Sequence, residues 1–272
     1  MFNFSGSSLD WDLVSRNIGF VNNEGEIQPI PNKVAVVRSD NSETLGIVSD
    51  GYNILQNKSL YEKIQPMVEE GLLTVENIGD LRGGRDVYIQ AQLVKEYRVV
   101  GESYRGFISL TNNHGGKASA GLGCSCVRIV CENTFAQVNS EIDRFRHIGE
   151  GVQKFLDSAA VYDFVDEQMG IYAKHAEKLA TSPCSAGAFH DFLAKVYKKE
   201  EVAKIRNVEK LNDLFYNGRG NEGRTFYDAF NAVTELNSHF TRKTAQGQFN
   251  YANFGEGSRL NSRAMAAALE LA

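Results

Sequence analysis

Proline is scarce in this chain, with 4 in 272 residues, and there is one tryptophan and there are 4 cysteines. So little proline argues against long disordered or polyproline linkers. No run of 18 apolar residues occurs, which predicts no transmembrane helix. The first residues lack a charged start and an apolar core, so no secretory signal is expected and the cytoplasm is the predicted location. Positive charge is not in excess either: 29 Lys and Arg against 34 Asp and Glu give a net −5. That balance excludes an overall basic nucleic-acid binder, and any such contact must use a local patch. Hydrophobic residues make up 42%, ordinary for a packed globular protein.

Cofactor and catalytic fingerprints are missing as well. Gly83-Gly84, Gly115-Gly116 and Gly121-x-Gly123 fit neither a nucleotide P-loop nor a dinucleotide fingerprint, and they read first as turns and bulges. Two details favour anions: Arg82-Gly-Gly-Arg85 sets two guanidinium groups around a turn, and Gly121-x-Gly123 leads into a predicted helix start. Cys124-x-Cys126-x₄-Cys131 lacks the second pair a structural zinc site uses, so these thiols and Cys184 read as buried free cysteines. There is no Gly-x-Ser-x-Gly elbow. Cys131 with His114 or His147 makes a nucleophile pair only if the fold joins them. No cofactor and no metal are expected.

What is present is a change of period along the chain. Residues 1–32 are polar, contain glycine and proline, and read as a loose lead-in anchored by Phe2, Phe4, Leu9 and Trp11. Residues 33–39 and 45–49 read as strands. Ser59-x-x-Glu62 opens a helix as a capping box, with Leu60, Ile64, Met67 and Val68 as its stripe and Gly71 as its stop. Residues 72–123 read as an antiparallel meander, with Val87, Ile89, Ala91 and Leu93 on one face. Val127, Ile129, Val130, Phe135 and Val138 predict a buried helix over 125–140. Beyond 150 the pattern predicts helices at 155–181, 189–199, 202–216, 225–242 and 258–271. The class is α+β: an antiparallel meander with a crossing helix (a β-β-β-α core) over 1–149, and a helical region over 150–272 packed on the same domain.

Cations collect in two stretches. Over 239–263, Arg242, Lys243, Arg259 and Arg263 outnumber Glu256, with Phe240, Phe249, Tyr251 and Phe254 interleaved in what reads as a mobile loop. Such aromatics can stack bases while Arg and Lys track phosphates. Arg144, Arg146 and His147, with Arg128, form the second stretch.

Several segments then resemble one family. Val36-Val37-Arg38, Leu45-Gly46-x-Val48-Ser49-x-x-Tyr52 and Gln56-Asn57 resemble the opening of the phage/plasmid-like family catalogued as domain of unknown function 932. Gly83-Gly84-Arg85, Thr111-Asn112-Asn113-His114-Gly115-Gly116 and Val127-Arg128-Ile129-Val130-Cys131-Glu132-Asn133-Thr134 resemble its centre. Arg146-His147, Gly223-Arg224-Thr225, Asn231-Ala232-Val233-Thr234-Glu235 and His239 continue the likeness. It implies a phage, prophage or plasmid origin and no defined activity.

The strand-strand-strand-helix order is similar, at the level of fold alone, to single-strand annealing recombinases. That likeness implies a groove for single-stranded DNA and a homo-oligomer. It implies contacts from Arg82, Arg85, Lys117, Arg128 and Asn133, and the two basic stretches add Arg144, Arg146, Arg242, Lys243 and Tyr251, all expected to converge in one trough. No catalysis and no membrane are involved in this expectation. A protein-binding phage effector acting on a host complex is the competing expectation, and an unclassified hydrolase using Cys131 or His114 is the third.

Overall fold

The computed structural model describes residues 2–128, 133–136, 143–157 and 161–272. The fold is α+β, with two antiparallel sheets in the first half and helices mostly in the second. No described helix is long and apolar enough to cross a membrane.

The chain divides into two compact units that interleave in sequence. The first comprises residues 1–94, 108–123 and 141–161. Its small sheet is β1 (Leu13–Val21), β2 (Ile27–Arg38) and β3 (Thr44–Ser49), in that order. The expected loose lead-in is therefore a strand and half of a hairpin. β3 pairs only with Lys33–Val37, so the far part of the β1–β2 hairpin has no third strand. Pro29 and Pro31 lie in that outer part, where a missing ladder donor is tolerated.

α1 (Asn57–Glu69) starts two residues before the expected box, and Ser59 does not cap it. Gln56 clamps the helix start to β1 instead. Its Nε2 donates to the Leu13 carbonyl at 2.9 Å and its Oε1 accepts the Leu13 N–H at 2.9 Å. Leu60, Ile64 and Val68 are buried and α1 packs on β4 (Leu73–Leu81).

The larger sheet continues with β5 (Asp86–Val99), β6 (Glu102–Asn113), β7 (Ala120–Arg128) and β8 (Asn133–Ala136), while β9 (Asp143–Phe145) pairs with β7. β5 buries the expected face, with Val87, Ile89, Ala91 and Leu93 inside, and buries Tyr88 and Gln90 of its other face as well. The helix expected over 125–140 is overturned where the chain is described: Ser125 to Arg128 end β7 and pair with β8, Arg128 opposite Asn133, while 129–132 and 137–140 lie outside the described residues. Cys124 and Cys126 are buried on the same face as Leu122, and β-branched Val127 suits a strand as well as a helix. The described residues of this segment, 125–128 and 133–136, are strand and not the crossing helix of a β-β-β-α core. α2 (Gly151–Asp157) closes the first unit.

The second unit comprises residues 95–107, 124–140 and 162–272. α3 (Val161–Thr181) covers most of the helix expected over 155–181, whose residues 158–160 lie outside the described residues. α4 (Ala186–Tyr197), α5 (Val208–Asn217), α6 (Phe226–His239), α7 (Ala245–Phe254) and α8 (Glu256–Leu271) follow. α6 is buried almost all round because α5, α7, α8 and β8 pack against it. Thr225 and Asp228 start it as a full capping box. Residues 245–254, expected as mobile loop, are helix α7, capped by the Thr244 hydroxyl accepting from the Gly247 N–H at 3.1 Å.

Candidate functional site

Three chain segments of the first unit meet around a cleft of about 530 Å³. Lys33 of β2 and Ile47, Val48 and Ser49 of β3, with Tyr52 after it, form one wall. The β6–β7 turn, residues 115–119, forms another, and Arg146, His147 and Ile148 the third.

Close backbone packing holds the turn in place. A Cβ on Gly46 would lie 2.6 Å from the Gly115 Cα, and one on Gly116 would lie 2.8 Å from a Val48 methyl. Gly116 also has a φ of +70°, which an L side chain rarely adopts. Asn113 ties the turn at both ends. Its Nδ2 donates to Asp86 Oδ1 at 2.7 Å, and its Oδ1 accepts the Lys117 N–H at 2.9 Å. The Tyr52 hydroxyl donates to the Asn113 carbonyl at 3.0 Å.

The third wall is pinned to the first. The Asn53 N–H donates to the His147 carbonyl at 2.8 Å, and Asn53 Nδ2 to the Gly149 carbonyl at 2.6 Å. The His147 ring stacks on Tyr52 with centroids 4.7 Å apart. Its Nδ1 faces the Asn53 carbonyl at 3.0 Å, which assigns the proton to Nδ1. Nε2 is left buried without a partner among the described residues. Burial holds the His147 pKa below its usual value, opposed by the bond to Asn53.

The electrostatics are one-sided. Lys33, Lys117 and Arg146 line the cleft, no carboxylate does, and none of the three has an ion-pair partner among the described residues. In a chain of net −5, such a grouping is a local patch of positive charge rather than an average of the surface.

Of the expected contacts, the structure thus brings together Lys117 and Arg146. Arg82 and Arg85 stand on the β4–β5 turn outside the cleft, and Arg82 is ion-paired with Asp86. That turn is built for packing. Gly84 lies against Trp11 and Arg38, and Gly83 against Glu43. Arg128 and Asn133 face each other across β7 and β8, and Arg144 sits in β9 opposite Gly121. Arg242 and Lys243 line a different depression, within the second unit, with the Arg242 guanidinium 4.2 Å over the Tyr251 ring. Arg259 and Arg263 are ion-paired with Glu256, which removes them from the expected basic stretch. Lys33, Tyr52 and the role of His147 were not anticipated. Tyr52 and His147 lie in segments that carry the family resemblance, which was their available signal.

His114 is not placed as a base. It is buried between Asn57, whose Oδ1 is 2.9 Å from Nε2, and Asn112, whose Nδ2 is 3.2 Å from Nδ1. Asn57 Nδ2 donates to the Leu9 and Trp11 carbonyls, which turns its Oδ1 toward the imidazole and makes the ring neutral with the proton on Nε2. Burial pushes its pKa down to about 3. Burial pushes the Cys124 and Cys184 thiols up to about 12, and Cys126 is raised too. Cys131 lies outside the described residues.

The profile of one protein family, described as Domain of unknown function (DUF932), matches residues 44–265. No curated protein and no solved structure matches the chain.

Proposed function

The chain belongs to the DUF932 family, and from that premise we propose that it acts by binding, holding the phosphates of a single nucleic-acid strand in the cleft of the first unit. The observation that carries this reading is the convergence of Lys33, Lys117 and Arg146, with no lining carboxylate among the described residues. The walls supply hydroxyls at Ser49 and Ser119 for phosphate oxygens. A bound anion would also favour a proton on His147 Nε2, which turns the orphan acceptor into a donor. Such a site neutralises phosphates and needs no proton transfer to the strand. The phage or plasmid setting and the recombination role stay attached to the family resemblance.

The test is fluorescence anisotropy of a labelled single-stranded oligonucleotide against salt. Three phosphate contacts predict a log–log slope of about −2, at about −0.7 per contact on a single strand. No binding at low salt would remove this function. A pulldown-type partner role would then rest on the exposed apolar residues Phe20, Val21 and Ile27 of the β1–β2 hairpin.

A further inference from the structure

The outer β1–β2 hairpin is an arm that no third strand covers among the described residues. Phe20, Val21 and Ile27 are 57%, 68% and 77% exposed. Val21 pairs with Ile27 and Phe20 with Gln28, so apolar side chains stand on both faces of the ribbon. A two-stranded ribbon is marginal alone, and large apolar side chains on both of its faces mark a contact surface.

The tip is acidic and ordered. Asn22 Oδ1 accepts the N–H groups of Glu24 at 3.0 Å and Glu26 at 2.9 Å, and Gly25 takes a φ of +84°. Glu24 and Glu26 are both exposed. The arm therefore offers two carboxylates flanked by bulky apolar groups. The cleft offers the complement: Lys33, Lys117 and Arg146, with the exposed rim residues Ile47 and Ile148.

An arm cannot fill its own cleft in this geometry. Among residues 17–33 only Lys33 lines it. From Asn17, paired opposite Val34, to Val21 at the tip is four strand steps, roughly 14 Å at ~3.4 Å each. Arm-on-arm pairing between copies would crowd the carboxylates of two tips together, which is repulsive. We propose that the occupant is a second copy of this chain: the acidic, apolar arm of one copy docks in the basic cleft of the next. Such a contact joins two different surfaces, so it propagates into a ring or an open filament rather than a closed two-fold dimer.

The proposal goes beyond nucleic-acid binding and does not require it. The test uses the full chain in sedimentation velocity at low ionic strength, over a range of concentrations. Wild type is expected to exceed the single-chain 30.2 kDa as concentration rises, and to fall back toward it in high salt. The arm variant Glu24→Lys with Glu26→Lys is expected to stay a single chain. So is the cleft variant Lys117→Glu with Arg146→Glu. Mixed one to one, the two variants are expected to regain the wild-type mass, because each arm then meets a cleft of opposite sign. Wild type that stays at single-chain mass throughout overturns the proposal. So does a cleft variant that associates like wild type, which is the outcome arm-on-arm pairing requires, and so does a mixture that fails to recover. Anisotropy on the arm variant separates the two ideas: with the cleft cations intact and no arm competing for them, it is expected to bind the oligonucleotide at least as tightly as wild type.

Discussion

Gly46 of β3 and Gly115 of the β6–β7 turn touch so closely that a Cβ on Gly46 would stand 2.6 Å from the Gly115 Cα. The neighbour is backbone and cannot swing aside. Gly46→Ala is therefore expected to push the turn outward, at a cost of about 1–3 kcal/mol typical of overpacking. Because that turn carries Lys117, the same change should weaken oligonucleotide binding. Urea denaturation and anisotropy on one variant check both effects. An unaltered denaturation midpoint would contradict the packing account.

His114 predicts an acid-side loss of stability. The unfolded histidine takes up a proton near its ordinary 6.5, while the folded one resists until about 3. Below 6.5 the unfolded chain therefore binds more protons than the folded chain, and stability falls as pH drops from 6.5 toward 3. The full shift corresponds to roughly 4–5 kcal/mol as an upper limit. His147, also lowered by burial, acts in the same direction. Urea midpoints at about pH 7 and about pH 4.5 should differ strongly in wild type and less in His114→Gln. Equal pH dependence in both would contradict the assignment.

The capping box of α6 is a separable stability element. Thr225 Oγ1 accepts the Asp228 N–H at 3.2 Å, and Asp228 Oδ2 accepts the N–H groups of Thr225 and Arg224, each at 3.0 Å. Thr225→Ala is expected to cost about 1–2 kcal/mol. It lies in the second unit, so oligonucleotide affinity at the cleft should hold. Thermal melts with parallel anisotropy separate the two quantities.

Under the two proposals, nucleic acid and the neighbouring arm use the same cations, Lys33, Lys117 and Arg146. Adding unlabelled oligonucleotide to the associated protein is expected to disperse it toward single-chain mass. Sedimentation velocity with and without the oligonucleotide measures this directly. Assemblies that persist with the strand bound would show that the two occupants use different surfaces.

Much of this architecture was legible from local pattern. The alternation at Val87, Ile89, Ala91 and Leu93 named β5 and its buried face, and Thr225 with Asp228 named the start of α6. Residues 125–136 misled because Val127, Ile129, Val130 and Phe135 satisfy a short helix spacing and a buried strand equally well. Among the described residues, Ser125 to Arg128 pair with Asn133 to Ala136, and a side-chain period does not record that pairing. The β1–β2 arm was missed because its apolar residues are exposed on both faces, leaving no alternation to read. α7 was missed because Gly247 and its flanking aromatics looked like a loop.

For the site, Lys117 and Arg146 were identifiable as candidate cations, but 29 residues separate them in sequence. They meet because Asn113, Tyr52 and Asn53 tie their segments to one wall. Arg82 looked equally suitable until the fold set Asp86 beside it.

The most direct test of the cleft's function compares two double charge reversals in oligonucleotide anisotropy at about 0.1 M salt. Lys117→Glu with Arg146→Glu is expected to weaken binding at least about tenfold, and to flatten its salt slope by about 1.4. Arg82→Glu with Arg85→Glu, outside the cleft, should change affinity by less than about threefold. Equal losses in the two variants, or no loss in the first, would contradict the cleft as the binding site.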